Sequence, residues 1–169
     1  MDGYGHIFND TPAMDDGVPG HGGCVMMQIF HGLMSGAVHG YPMKSEKQVG
    51  QAFEDHIRKV GTPIGLKSDN AKSELHRRTK DILRLCRINN AQSEPHYQHQ
   101  NQAKYKIQNV KCAMNNTMDC VGCLARVWLL CAIFALMLFC HLPNSNREIP
   151  LAMQTGQTPD ISNFMHFHF

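Results

Sequence analysis

Residues 64–72 read Ile-Gly-Leu-Lys-Ser-Asp-Asn-Ala-Lys. Gly61-Thr62-Pro63 stands just before them and stops any preceding helix. The short apolar segment Ile64-Gly65-Leu66 then runs into Lys67-Ser68-Asp69-Asn70, which predicts a strand that ends at a carboxylate. A helix is expected from about Ala71 to Arg87, with Leu75, Ile82, Leu85 and Cys86 on its apolar side. On the other flank, Ser45 followed by Gln48 is a capping box, and Val49, Phe53, His56, Ile57 and Val60 keep helical spacing up to the glycine. A strand between two helices is the unit from which helix-covered sheets are built.

Upstream, Cys24 to Phe30 is a nearly continuous apolar run between glycine clusters and reads as a buried strand. Ala37 to Tyr41 alternates weakly and suits its hairpin partner, Tyr4 to Phe8 suits a short strand, and Thr11 to Gly23 suits a loop. Downstream, residues 88–102 lack apolar periodicity and contain Pro95, so a loop with at most one short strand is expected. A third helix spans roughly Asn101 to Met118, where Ile107, Val110, Met114 and Met118 make one stripe. An apolar fourth helix runs from about Leu124 to His141, and the tail from Pro150 has room for one helical turn. This order predicts a mixed α/β or α+β layout around one sheet.

A chain of 169 residues, 43% hydrophobic, suits one domain with a real core. Lys plus Arg is 16 against 14 Asp plus Glu, so net charge leaves nucleic-acid binding open and local charge must decide it. The seven cysteines come with no secretory leader at Met1–His6, which reads as reduced thiols in a nuclear or cytoplasmic, not secreted, protein. Val127 to Cys140 is apolar for 14 residues, short of the about 20 that span a bilayer, so a core helix and no membrane are expected. Cys120-Val121-Gly122-Cys123 lacks a second ligand pair at zinc spacing and reads as free thiols in a helix connection. Gly20-His21-Gly22-Gly23 has neither the strand before it nor the helix after it that a phosphate loop needs. Arg77, Lys80, Arg84 and Arg87 recur on one helix face, either as a phosphate-contacting stripe or as a solvated face. Lys104, Gln108, Lys111 and Asn115 form a second polar stripe.

Three stretches together resemble a known family. Asp69 with Asn70 at the end of a strand resembles the metal-binding carboxylate of ribonuclease-H-like nucleotidyl transferases. Ser93 to Lys104 is similar to the Ser-x-Pro-x-x-x-x-Gln-Asn-x-Ala-Glu segment of retroelement integrases. Val127 to Cys131, with Thr155 to Asp160, resembles the Trp-containing helix and the Thr-Gly-x-x-Pro-Asp segment of copia-type elements, and Asp10 to Gly17 looks like the start of their core.

The resemblance implies a ribonuclease-H-like three-layer α/β fold, a mixed central sheet flanked by helices. It implies a core over residues 4–142 and a tail over 143–169 that closes or follows it. It also implies DNA integration by two-metal phosphoryl transfer with Mg²⁺, DNA as partner, and a homodimer. Three acids are implied. Asp69 matches the second, Lys104 stands in the place of the Glu, and Gly5, just before Ile7-Phe8, falls in the place of the first. Asp10 is a weaker metal candidate at the far end of that strand, and Asp2 and Glu94 would likewise need a register shift. One carboxylate does not chelate two Mg²⁺ ions, and an ammonium 4 Å from a unit positive charge is repelled by about 4 kcal/mol at an effective dielectric near 20. The expectation is therefore a degenerate, inactive copy that contacts nucleic acid through Lys72, Arg77, Lys80, Arg84, Arg87, His96, His99, Asn101, Lys104 and Lys111. A domesticated non-catalytic DNA-binding protein, an unstable pseudogene product and a small membrane protein anchored by residues 127–142 are the alternatives.

Overall fold

Gly36, at φ +73°, turns the chain back on itself after Gly32, and the Ser35 hydroxyl accepts from the Ala37 amide at 3.0 Å. This turn joins two antiparallel strands, and the computed structural model, which describes residues 6–10, 18–68, 77–92 and 102–162, extends them into one sheet. Strands β1 (His6–Asp10), β2 (Met26–Gly32), β3 (Val38–Met43), β4 (Gly65–Ser68) and β5 (Asn89–Gln92) lie in the order β3-β2-β1-β4-β5. β1 runs antiparallel to β2 and parallel to β4, and β4 runs parallel to β5. The sheet is mixed, as expected, with its first strand at its centre.

Helices cover both faces. α1 (Val49–Val60) and α2 (Arg77–Leu85) close one core, in which Phe30 packs with Tyr41, Phe53, Leu66, Ile82 and Leu83. α3 (Gln102–Val121) and α4 (Trp128–His141) close the other, where Met27 and Ile29 meet Ile107, Val110, Met114 and Leu136. Residues of β2 alternate between the two cores and both sets are buried, which is why its sequence reads as a continuous apolar run. α5 (Pro150–Thr155) ends at Gly156 in a left-handed cap. Its Gln154 side chain hydrogen-bonds His39 of β3 at 3.0 Å, so the tail is tied to the sheet edge. Trp128 is 3% exposed and donates its ring N–H to the Val18 carbonyl at 3.1 Å, the core role its apolar flanks suggest.

Local details depart from expectation for physical reasons. β1 ends at Asp10 instead of Phe8, because its ladder with β2 continues through Asp10 and Ile29. Ser45 does not cap α1: a 3-10 turn over Glu46–Gln48 comes first, and it is Gln48 whose side chain accepts from the Lys44 amide at 2.6 Å. Leu85 is 83% exposed, whereas Thr79, Ile82 and Leu83 face the core, so α2 is rotated from the face that Leu75 and Leu85 suggest. Leu75 itself lies outside the described residues.

Two core histidines are neutral. His31, 4% exposed, has no hydrogen-bond partner on either ring nitrogen, and burial, with the Lys106 charge, lowers its pKa to about 4. His56 stacks on Phe30 and pairs with the Tyr41 hydroxyl, and burial lowers its pKa to about 3. Burial also lowers the pKa of His39. A folded-state pKa below the unfolded value of about 6.5 means that stability is complete above pH 6.5 and drains as pH falls toward 4 and then 3. The melting temperature is expected to fall progressively below pH 6.5, with His31 alone accounting for about 3 kcal/mol. In thermal melts across that range, His31→Leu should flatten the profile.

Candidate functional site

Parallel pairing of β1 with β4 sets the geometry. His6 lies opposite Gly65, Ile7 opposite Leu66, Phe8 opposite Lys67 and Asn9 opposite Ser68. Asp10 is the last residue of β1, and Asp69 follows β4 in the sequence. Gly5 precedes His6, the first residue of β1, in the sequence. β5 is parallel to β4, so the carboxyl ends of β1, β4 and β5 share one edge of the sheet. Ligand sites in open α/β sheets form at such an edge.

Nine residues of sequence separate the end of β5 from the start of α3, which packs across β1 and β2. Its first turns lie over β2: the Lys106 charge reaches His31, whose strand partner in β1 is Phe8. Lys104, half-buried, is two residues from Lys106 in that same stretch of helix. An ammonium thus occupies the start of the helix that crosses the sheet's central strand. Lys111 is also half-buried, one to two turns further along.

On the other face, Arg77, Lys80 and Arg84 of α2 and Arg87 just beyond it are all exposed. Arg87 adopts φ +53° at the turn into β5. Arg78 has a different task. Its guanidinium makes two parallel hydrogen bonds to Glu54 of α1, Nε to Oε1 at 2.9 Å and an Nη to Oε2 at 2.7 Å. That fork holds the Glu54 carboxyl below its ordinary pKa and raises that of Arg78. Sequence reasoning passed over this clamp, because the two residues are 24 apart and only the packing of α2 on α1 brings them together. Asp69, Gly5, Lys72, His96, His99 and Asn101 lie outside the described residues. Among the described residues no group of three or more His, Cys, Asp or Glu could hold a metal ion, and no helix is long and apolar enough to cross a membrane.

No protein-family model matches the chain, and no curated protein matches it. Solved structures do. The integrase catalytic core domain of HTLV-2 in complex with magnesium, in a trimeric form, superposes with a TM-score of 0.68 at 15% identity, over 89% of this chain and 95% of that one. The catalytic core domain of BIV integrase gives 0.68 at 14% identity, over 89% and 93%. A chain of the simian T-cell lymphotropic virus intasome, solved with the PP2A regulatory subunit B56 gamma, gives 0.75 at 11% identity, over 93% of this chain and 55% of that one. The fold is the ribonuclease-H-like α/β fold of integrase catalytic cores.

The Arg78 fork is solvent-exposed and screened, so Arg78→Ala is expected to lower the midpoint of chemical denaturation only slightly. Most of that loss should disappear in high salt. A salt-insensitive loss would mean that the aliphatic stem of Arg78, packed over Gly50, carries the contact instead.

Proposed function

We propose that this chain is the catalytic-core-like domain of a copia-type retroelement integrase, and that it binds DNA while lacking the full acid set for two-metal strand transfer. The observation that supports the reading is the parallel pairing of β1 with β4, which runs as far as Asn9 opposite Ser68. Carboxylates are the hard-oxygen donors that Mg²⁺ takes. In this reading Asp10 serves, in place of Gly5, as the first acid, with Asp69 as the second.

These residues fit one divalent ion. They do not fit two, because Lys104 brings a positive charge where the resemblance implies a Glu, and an ammonium repels a divalent ion. No two-metal step follows from this acid set. The HTLV-2 core was solved with magnesium, in dimeric and trimeric forms. For this chain a single weakly held Mg²⁺ and a homodimer are part of the same proposal. DNA would lie along Lys72, Arg77, Lys80, Arg84 and Arg87 and along His96, His99, Asn101, Lys104 and Lys111, in a nuclear or cytoplasmic setting.

Calorimetry with Mn²⁺ is expected to give at most one site for the wild type, none for Asp10→Asn, and a second site for Lys104→Glu. Gly5→Asp should change nothing. If Gly5→Asp created a site while Asp10→Asn stayed silent, the acid would belong at position 5. Two tight sites in the wild type would overturn the loss of the acid set. In a salt titration of DNA binding, the triple variant Arg77→Gln, Lys80→Gln, Arg84→Gln should reduce the slope of log Kobs against log salt by about 3. An unchanged slope would make that stripe a solvated face.

A further inference from the structure

A cavity of about 240 Å³ lies in the cleft between β3, an edge strand of the sheet, and α1. Tyr41 and Met43 of β3 and Ala52 of α1 give it an apolar wall, and all three are buried. Its polar side comes from α1, where Gln51, Asp55 and Lys59 recur every four residues and share one face. Asp55 and Lys59 stand at the spacing at which opposite charges on a helix pair. They do not pair with each other here. Asp55 gives one oxygen, Oδ1, to Arg58 at 3.0 Å, and no described residue hydrogen-bonds the other. The Lys59 ammonium lies over the Tyr41 ring, 5.4 Å from its centroid, and no carboxylate of the described residues pairs with it. That ring is fixed from behind, because its hydroxyl meets His56 Nδ1 at 3.3 Å and its edge meets Phe30. Gln48 also lines the cavity, and its Oε1 is taken by the Lys44 amide at 2.6 Å, so its side-chain N–H groups remain as donors. One cleft thus holds an apolar wall and two opposite charges that do not satisfy each other.

We propose that the cleft between β3 and α1 binds a free α-amino acid with an apolar side chain. The ligand carboxylate takes the Lys59 ammonium, the ligand ammonium takes the open oxygen of Asp55, and the side chain lies on Tyr41, Met43 and Ala52. A molecule with both charges on one carbon answers both protein groups at once. A simple acid would bring its charge beside Asp55, and a simple amine would bring its charge beside Lys59, so each is opposed by a like charge. Lys59 is exposed and Asp55 half-buried, so both contacts are partly screened and the affinity is modest. The apolar wall then selects among amino acids, since burying a larger side chain removes more apolar surface from water. The inference stands independently of the DNA-binding reading, because the cleft shares no residue with the acid edge or with the basic stripes of α2 and α3.

The test titrates the whole chain with L-leucine and follows backbone amide shifts by NMR. Saturable shifts are expected in β3 and α1. N-acetyl-L-leucine, which lacks the ammonium, and L-leucinamide, which lacks the carboxylate, should each bind about tenfold more weakly or worse. Asp55→Asn and Lys59→Gln should each weaken leucine binding by a similar factor, and neither side chain belongs to the buried core, so both variants fold. Arg58→Gln removes the competing partner of Asp55 and should leave binding undiminished. The proposal is overturned if leucine gives no saturable shifts in these elements, if either capped derivative binds as tightly as leucine, or if both charge variants bind like the wild type. Glycine binding as tightly as leucine would overturn the part assigned to the apolar wall.

Discussion

The backbone pairing between β1 and β4 is the constraint on which everything else rests. Asn9 opposite Ser68 fixes the register, and a slip of one residue would turn every side chain of β1 to the opposite face. The same strand is held on its other side by β2, so its position is determined twice. With β1 fixed, the parallel half of the sheet directs three strand ends toward one edge, and the antiparallel half supplies Phe30 and Ile29 to the two cores. α3 can cross the central strands only because its stripe of Ile107, Val110 and Met114 finds Met27 and Ile29 beneath it.

Strand β2 was legible in the sequence because burial on both faces leaves no polar alternation to misread. α3 was legible because one stripe keeps its spacing over three turns. β1 was harder: His6-Ile7-Phe8-Asn9-Asp10 holds only two apolar residues, so its end depends on pairing partners far along the chain. The face of α2 was misjudged at Leu85 because Thr79, Ile82 and Leu83 are what the core takes up, and Leu85 lies off that face. The meaning of Lys104 came through resemblance alone. Nothing in a lone lysine near the start of a helix distinguishes it from a surface charge.

α4 shows how a sequence pattern can be right in kind and incomplete in detail. It is apolar all round and serves as a core helix, with Trp128, Ala132, Ala135 and Leu136 buried. Its opposite side still leaves Leu130 54% and Ile133 43% exposed. The face toward α3 and β3 is closed, and α5 covers a further part of it. An all-apolar helix of this kind carries no periodicity from which to read its inward face.

Placing the first strand at the centre of the sheet also orders the birth of the molecule on the ribosome. β1, β2 and β3 can meet as soon as they emerge, but the second edge of β1 has to wait for Gly65–Ser68. Until then the nascent chain displays an unpaired ladder of amides and carbonyls, a template for another strand. One face of that early sheet stays bare for longer still, since its cover arrives with α3 and α4, as late as residue 141. A nascent chain whose residues 6–43 have emerged, with nothing beyond them yet outside, would therefore hold an open edge and two uncovered faces, the state in which a chain of this topology is most in need of a chaperone.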